Sequence, residues 1–212
     1  MEITWYGYSC FRITERNSAS VVTDPYNKKI GLTEPKIKAE VVTVSHEAPG
    51  HSNTKIIKGA RIITGPGEYE IGGAFITGVN TSNNKDKVDQ IQSNTAYLIA
   101  YESANVCHLG DINNIPSQTH IEALGTVDVL LVPVGGGQGL NAAQAAEIIS
   151  IIEPAIVVPM HYKVPKLKPK LDPLSRFLKE MGLSRPTAET SIKVTKSSLP
   201  DETQVVILEP KS

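Results

Sequence analysis

The stretch VVTVSHEAPGHSN, residues Val41–Asn53, decides the fold, because it joins an apolar run to a loop that carries two histidines. The run Glu40–Val44 is too continuously apolar for a surface strand, and such runs are typical of strands covered on both faces. His46 and His51 follow it in a segment rich in turn-forming residues. The stretch therefore predicts a buried strand that leads into a loop bearing both imidazoles.

Short β-branched runs separated by turn residues predict further strands on both sides of this stretch. They lie at Met1–Ile13, Ser20–Thr23, Ala60–Thr64, Thr95–Ala100, Ala104–Leu109, Val127–Val132, Ala155–Val158, Ser191–Thr195 and Gln204–Leu208. The last two are expected to close a second sheet. The segment Glu68–Thr77 predicts a hairpin, because Gly72 and Gly73 supply its turn. The polar stretch Asn80–Gln92 predicts a loop.

Three segments predict helices, at Gln118–Leu124, Asn141–Ile152 and Pro173–Met181. The second is the clearest, because Asn141 is a good N-cap residue and apolar residues then recur at spacings of three and four. Strands that come first and helix-covered parallel strands that follow favour an α/β fold. In such a fold two sheets pack together with helices outside.

Composition limits the class of protein. A chain of 212 residues with 40% hydrophobic content fits one domain, residues 1–212. A net charge of −1 gives no field that would attract nucleic acid or an anionic membrane, so neither is expected as a partner. Cys10 and Cys107 lie far apart without a CxxC pair, which favours two core residues over a disulfide framework or a thiolate zinc site.

The first residues, MEITWYGYSCFRI, are strand-like and lack the basic and apolar regions of a signal peptide. No apolar run reaches the ~20 residues that span a bilayer. We therefore expect a soluble, cytoplasmic protein. The sequence leaves the oligomeric state open, and a homo-oligomer is compatible with it.

Five further motifs accompany the opening stretch in a fixed order. They are TDPY (Thr23–Tyr26), GPGEYEIGG (Gly65–Gly73), HLGD (His108–Asp111), DVLLVPVGG (Asp128–Gly136) and VVPMHY (Val157–Tyr162). With these motifs the chain resembles the metallo-β-lactamase superfamily, in the branch that includes ascorbate-6-phosphate lactonase. The resemblance covers roughly Met1–Tyr162 and, more loosely, the C-terminal strands. It implies an αββα four-layer sandwich and hydrolytic chemistry at a metal centre.

The metal-binding loop of that superfamily reads His-x-His-x-Asp-His, and this chain keeps only part of it. His46 and His51 occupy the first and last positions. The second histidine falls on Ala48 and the aspartate on Gly50, and neither residue can coordinate a cation. In the family that aspartate also orients or deprotonates the attacking water, and removing a general base typically costs about 10²–10⁴ in rate. No catalytic residue is therefore assigned.

The resemblance implies two more ligands, Asp111 and His161. Neutral imidazole and carboxylate are the usual ligands of catalytic zinc. We expect at most a mononuclear site for zinc or manganese at His51, Asp111 and His161, with His46 as an additional ligand. A metal-free protein is the alternative.

Two further departures from the family pattern fall at the expected metal centre. Many relatives read GHSCF near the N-terminus, where this chain has Tyr8 in GYSCF. A family histidine is also missing from the loop after the predicted hairpin, which ends at Asn83. Together with Ala48 and Gly50, these positions concentrate the losses at the expected metal centre.

Other polar residues each have two interpretations. Asp24 resembles a residue that supports the metal loop, although an Asp-Pro turn explains it equally well. Asp111 could form an Asx-turn, and the loop histidines could simply hydrogen-bond. His108 is expected to lie off the site, and His120 to be solvated in a surface helix. The side chain of Glu47 is expected to point away.

Two features bear on the ligand. The glycine-rich segment Gly135–Gly139 fits no phosphate-binding pattern, and we interpret it as a strand-to-helix loop on the rim of the pocket. Lys163, Lys166, Lys168 and Lys170 follow His161. They predict a solvated loop, with recruitment of an anionic substrate as the alternative.

Two functions remain open from the sequence. The first is a hydrolase in which a metal-bound hydroxide attacks a lactone, ester or phosphodiester. The second is a catalytically inactive, metal-free family member that binds a small-molecule ligand or a partner. Fold alone does not separate them.

Overall fold

The computed structural model describes residues 1–82, 93–184 and 187–211. Their strands are β1 (Glu2–Gly7), β2 (Cys10–Thr14), β3 (Val21–Thr23), β4 (Val41–Thr43), β5 (Arg61–Ile63), β6 (Gly67–Ile71), β7 (Ala74–Asn80), β8 (Thr95–Ala100), β9 (Asn105–His108), β10 (Val129–Pro133), β11 (Ile156–Met160), β12 (Ala188–Glu189), β13 (Ile192–Lys193), β14 (Gln204–Val205) and β15 (Ile207–Leu208). Their α-helices are α1 (Gln118–Leu124), α2 (Ala142–Ile152) and α3 (Leu174–Glu180).

The described strands form two large sheets and one small one. The first sheet has the order β13-β1-β2-β3-β4-β5, and the second has the order β14-β11-β10-β9-β8-β7-β6. Strands β3, β4 and β5 run parallel, as do β9, β10, β11 and β14. Strands β12 and β15 pair separately. This arrangement confirms the predicted α/β sandwich.

Strand β4 shows why its sequence is continuously apolar. Val41 packs in a cluster that contains residues of both large sheets, whereas Val42 and Val44 pack in a second cluster. That second cluster contains Ile30, from the segment after β3, and residues from the segment after the histidine loop. Both faces of the strand are therefore buried, as the sequence predicts.

Helices α2 and α3 pack on each other and α2 contacts β10, so these helices lie on the second sheet. Helix α2 begins with the predicted cap, because Asn141 and Gln144 exchange hydrogen bonds between side chain and backbone. Over the first sheet, the described residues form irregular segments with 3-10 turns at Lys28–Ile30 and Thr54–Ile56. After β4 the histidine loop forms bends and turns and leads into the second of these 3-10 turns, so the loop predicted after this strand is confirmed.

Two further expectations differ from the structure. The segment Ser191–Thr195 does not join the second sheet, because β13 pairs with β1 at the edge of the first. The loop predicted at Asn80–Gln92 begins later, since β7 runs through Asn80, and residues 83–92 lie outside the described residues. Cys10 and Cys107 are both buried and unpaired, as predicted.

Four strand ends meet at one edge of the sandwich. Asp24 follows β3, the histidine loop follows β4, Asp111 lies three residues after the end of β9, and His161 follows β11. Loops at the carboxyl ends of parallel strands commonly carry binding residues in α/β proteins. Among the described residues, none of the helices is long and apolar enough to cross a membrane.

Candidate metal centre

Three of the four predicted ligands converge. His46, His51 and Asp111 each offer one ligand atom, and these atoms lie within 4.8 Å of one another. His51 is buried, whereas His46 and Asp111 are half-buried and reach the surface of a cavity. Two imidazoles and a carboxylate at this spacing are a donor set suited to one divalent cation.

The ring of His51 is oriented by Asp24. The Nδ1 atom of His51 lies 2.8 Å from Oδ2 of Asp24, whose side chain is fully buried. A histidine that uses Nδ1 in this way leaves Nε2 as its ligand atom, and such carboxylate partners are typical of metal-binding histidines. The interpretation of Asp24 as a residue that supports the loop is therefore confirmed.

Ser45 links the same carboxylate to His46. Its backbone N–H donates to Oδ1 of Asp24 at 2.7 Å, and its hydroxyl donates to Oδ2 at 2.6 Å. The same hydroxyl oxygen lies 3.1 Å from Nδ1 of His46. Burial alone would raise the pKa of Asp24, but the charge and hydrogen bond of His51 and the bond from Ser45 lower it to about 2. Asp24 is thus a carboxylate that fixes both histidines.

His46 is favoured in its neutral form. Burial, followed by the charge of His51, lowers the pKa of His46 below its ordinary value. Neutral imidazole is the form that binds a metal ion. His46 therefore has the protonation state that a ligand needs.

Asp111 is held through its backbone, and its side chain is left for a ligand. Its N–H donates to Oδ1 of Asn94 at 3.0 Å, while the Asn94 amide donates to Thr81 Oγ1 and Leu109 O at 2.9 Å each. Oδ1 of Asp111 is buried and has no hydrogen-bond partner among the described residues. An unpartnered buried carboxylate oxygen requires an explanation, and a cation supplies one.

His161 lies beside this group but is not part of the three-residue set. Its Nε2 atom is 3.6 Å from Oδ1 of Asp111, and neither ring nitrogen has a hydrogen-bond partner among the described residues. Burial lowers the pKa of His161 to about 4, so the ring is neutral at pH 7. Its assignment as a ligand stays a prediction.

Tyr8 packs against the two buried histidines of the site. Its ring centroid lies 4.0 Å from that of His161 and 5.0 Å from that of His51. A Cβ atom added to Gly50 would lie 2.5 Å from Cε1 of Tyr8. The phenol ring therefore occupies the space that a side chain at position 50 would enter.

The other predicted polar residues lie away from the ligand group. His108 is buried and bonds to Ser9 O at 2.9 Å, so it lies off the site as expected. Glu47 is exposed, also as expected. His120 is half-buried in α1, so the expectation of full solvation is wrong. Asn83 lies outside the described residues.

A small cavity of about 40 Å³, partly open to solvent, is lined by His46 and Asp111 of this group. Among the described residues, its lining apart from the candidate ligands His46 and Asp111 consists of neutral amide and hydroxyl side chains. These are Thr81, Ser82, Ser93, Asn94, Asn113, Asn114 and Gln138. The sequence did not single out most of them, because polar loop residues carry no pattern. Only Gln138 lies in a segment that the sequence placed on the rim.

Two packed mixed sheets with histidine and aspartate ligands at their strand ends define the metallo-β-lactamase class of proteins. Residues 2–161 match the family model of the beta-lactamase superfamily domain, and the chain belongs to this superfamily. The match spans the opening hairpin, the histidine loop, Asp111 and His161.

Similar proteins carry related descriptions. A UPF0173 protein of Pyrococcus furiosus is 32% identical over 76% of this chain and 83% of its own length. A UPF0173 metal-dependent hydrolase of Methanopyrus kandleri is 26% identical over 99% of this chain and 97% of its own. A solved structure from Thermotoga maritima, described as a candidate Zn-dependent hydrolase of the metallo-β-lactamase superfamily, is 32% identical with a TM-score of 0.79. It covers 98% of this chain and 97% of that one.

Proposed function

We propose that this protein is a metal-dependent hydrolase that holds one divalent cation, zinc or manganese, between His46, His51 and Asp111. The observation that carries the proposal is the convergence of these three ligand atoms within 4.8 Å. The unpartnered buried Oδ1 of Asp111 supports it, because a bound cation would satisfy that atom. The relatives from Methanopyrus kandleri and Thermotoga maritima are described as metal-dependent and Zn-dependent hydrolases, which supports the same class of reaction.

The chain contributes orientation and protonation states to this site. A bound divalent ion supplies Lewis acidity and lowers the pKa of water. Oδ2 of Asp24 accepts a hydrogen bond from Nδ1 of His51, which selects the tautomer of the neutral ring in which Nε2 is the ligand atom. Asn94 fixes the backbone of Asp111 and so directs its carboxylate toward the histidines. With glycine at position 50, the chain has no carboxylate there to act as a base.

The lining of the cavity favours a small, neutral and polar substrate. The described lining residues beyond the ligands are amides and hydroxyls, which donate to and accept from hydroxyl, amide and ester groups. Lys163, Lys166, Lys168 and Lys170 are exposed and do not line the cavity. We propose a lactone or ester with hydroxyl or amide substituents, rather than an anion attracted by the lysine loop.

Metal content tests the ligand group directly. Untagged protein purified without chelator and dialysed against Zn²⁺ should contain about one zinc per chain by plasma mass spectrometry. Asp111→Ala should lose that ion, since it removes the only carboxylate of the group. His120→Ala, which changes a histidine in α1 outside the group, should retain it. Wild-type protein without zinc after dialysis would reject the proposal.

Activity tests the reaction. The zinc-loaded protein should hydrolyse members of a panel of neutral lactones and chromogenic esters, and Asp111→Ala should not. Loaded protein that hydrolyses none of them, yet binds one of the uncleaved compounds in the cavity, would instead favour the catalytically inactive, ligand-binding alternative. The missing side chains at Ala48 and Gly50 are the observation that keeps this second function open.

A further inference from the structure

A second pair of ligand atoms lies next to the proposed ion site. Nε2 of His161 and Oδ1 of Asp111 are 3.6 Å apart, both are buried, and neither has a hydrogen-bond partner among the described residues. Two ligands of this kind at this distance are a partial metal site. A stable site in a protein normally has three or more protein ligands. One further ligand is therefore needed before this pair could hold an ion of its own.

Position 50 is where such a ligand would come from, and the structure blocks it. Gly50 precedes His51 in the loop, and a Cβ atom built on it would point at the ring of Tyr8, 2.5 Å from Cε1. Real Cβ atoms do not approach other atoms so closely. Since the Tyr8 ring also packs against His161, it occupies space next to both position 50 and that histidine.

The backbone of Tyr8 is held by hydrogen bonds, and its ring packs against His51 and His161. The carbonyl of Tyr8 accepts hydrogen bonds from Nε1 of Trp5 at 3.1 Å and from the backbone N–H of His161 at 3.0 Å. Its side chain is 8% exposed, and its φ of 56° lies in the left-handed region that glycine prefers. Such a backbone conformation persists only where the surrounding contacts maintain it.

We propose that Tyr8 limits this centre to a single metal ion, because its ring fills the space through which residue 50 would supply a third ligand to Asp111 and His161. The inference rests on the proposed function, since it assumes that the first ion binds at His46, His51 and Asp111. Tyr8 acts by volume and not as a ligand. The effects of Gly50 and Tyr8 are then coupled, and a carboxylate at position 50 can bind a second ion only after the ring is removed.

The test measures how many zinc ions each variant binds. Wild type, Gly50→Asp, Tyr8→Gly and the double variant Tyr8→Gly/Gly50→Asp are dialysed against Zn²⁺ and analysed by plasma mass spectrometry and native mass spectrometry. Glycine suits position 8 because it adopts positive φ without strain. We expect one ion for wild type and Tyr8→Gly, no more than one for Gly50→Asp, and two for the double variant. Circular dichroism verifies that each variant is folded.

Tyr8→Phe is the matched control, because it keeps the ring and removes the hydroxyl. It should bind one ion, like the wild type, and loss of that ion would show that the phenol is a ligand and would overturn the inference. A folded double variant with one ion, or two ions in Gly50→Asp alone, would also overturn it. Wild type without any ion would instead reject the proposed function, so the two failures are distinguishable.

A second measurement keeps the inference testable if the double variant does not fold. Tyr8→Gly has a space beside His161 that free acetate can enter as a substitute carboxylate. In Mn²⁺-loaded Tyr8→Gly, acetate should raise the binding stoichiometry from one to two and produce the electron paramagnetic resonance spectrum of two coupled ions. Wild-type protein with acetate should stay at one. A folded Tyr8→Gly variant that stays at one with saturating acetate would overturn the inference.

Discussion

The two sides of the His51 ring are built differently. On the Asp24 side, formed by Asp24, Ser45 and the Nδ1 atom of His51, three polar contacts of 2.6–2.8 Å converge on one buried carboxylate. On the Tyr8 side, formed by Tyr8 and His161, both ring nitrogens of the histidine lack a hydrogen-bond partner among the described residues, and an aromatic ring packs against it.

This difference separates ligand orientation from ligand packing. A buried histidine with a carboxylate partner has a defined tautomer and a defined free nitrogen, which a metal site needs. A buried histidine held only by its backbone and by ring contacts has a fixed position, but no hydrogen bond defines its tautomer or its free nitrogen. The Asp24 side therefore has the properties of a working ligand support, and the Tyr8 side has those of a filled space.

Removing Asp24 should have the largest effect. Asp24→Ala leaves two donors of Ser45 and Nδ1 of His51 without their acceptor, and an unsatisfied buried donor costs about 1–3 kcal/mol, so the three together should cost at least about 3 kcal/mol. We expect a loss of this size in the free energy of unfolding, measured by denaturant titration of metal-free protein. Zinc affinity should fall about 10–100-fold. Asp24→Asn should lose less, because it keeps one acceptor, and equal losses would contradict the role of this carboxylate.

Filling position 50 should give the next largest effect. Gly50→Ala places a methyl group against Cε1 of Tyr8, and overpacking of this kind typically costs about 1–3 kcal/mol. In the Tyr8→Gly background the same change should cost less than about 0.5 kcal/mol, because the ring is gone. A double-mutant cycle by denaturant unfolding measures the coupling. Equal costs in both backgrounds would show that the two residues are independent.

As the pH falls, the hydrogen bonds of His108 should weaken before those of Asp24. Nε2 of His108 donates a hydrogen bond to Ser9 O, and its Nδ1 accepts one from the backbone N–H of Gly110. A second ring proton would sit on Nδ1 and point at that N–H group. Burial lowers the pKa of His108 below its ordinary value of 6.5. The unfolded chain thus binds this proton more readily, and stability falls as pH drops below 6.5, by at most about 1.4 kcal/mol per pH unit.

The comparison with Asp24 fixes the order of the two losses. Because the pKa of Asp24 is lowered to about 2, its contribution is present above 3.8 and is lost only as pH falls toward 2. Unfolding titrations of metal-free wild type and His108→Gln between pH 7 and pH 4 measure the difference. The variant should show a shallower pH dependence. The same slope in both proteins would remove His108 as the cause.

Replacing His161 should have the smallest effect. His161→Asn removes two unpartnered nitrogens and places at φ 53° a residue that tolerates the left-handed region, so we expect a loss of about 1 kcal/mol or less. The variant should also keep about one zinc per chain. His51→Asn should cost more, because it removes the hydrogen bond between Nδ1 of His51 and the buried carboxylate of Asp24. Loss of the ion in His161→Asn would assign His161 to the ligand set, as the sequence predicts.

Much of the fold could be predicted from local sequence signals. The period of the apolar residues and the cap at Asn141 give α2, and the paired glycines Gly72 and Gly73 give the turn between β6 and β7. The edge strand β13 was assigned to the wrong sheet, because a two-residue strand carries no information about its partner.

The site was predicted as a set of residues but not as an arrangement. Motif order identified His46, His51 and Asp111, and the structure places their ligand atoms together. Asn94, which holds Asp111, has no motif and follows a polar stretch, so nothing in the sequence indicates it. Tyr8 and Gly50 were each recognised as departures from the family. Their direct contact depends on packing between distant segments, which local patterns do not describe.

The contact between Gly50 and the Tyr8 ring imposes an order on any mutational path through this pocket. A side chain at position 50 and the ring at position 8 clash, so a chain with an acidic residue at 50 loses least stability if it changes to glycine before it accepts the tyrosine. The return path that loses least stability runs in the reverse order and begins at position 8. Laboratory selection that varies one codon at a time, starting from position 50, would therefore meet a barrier. A library that varies both codons together would cross it in one step.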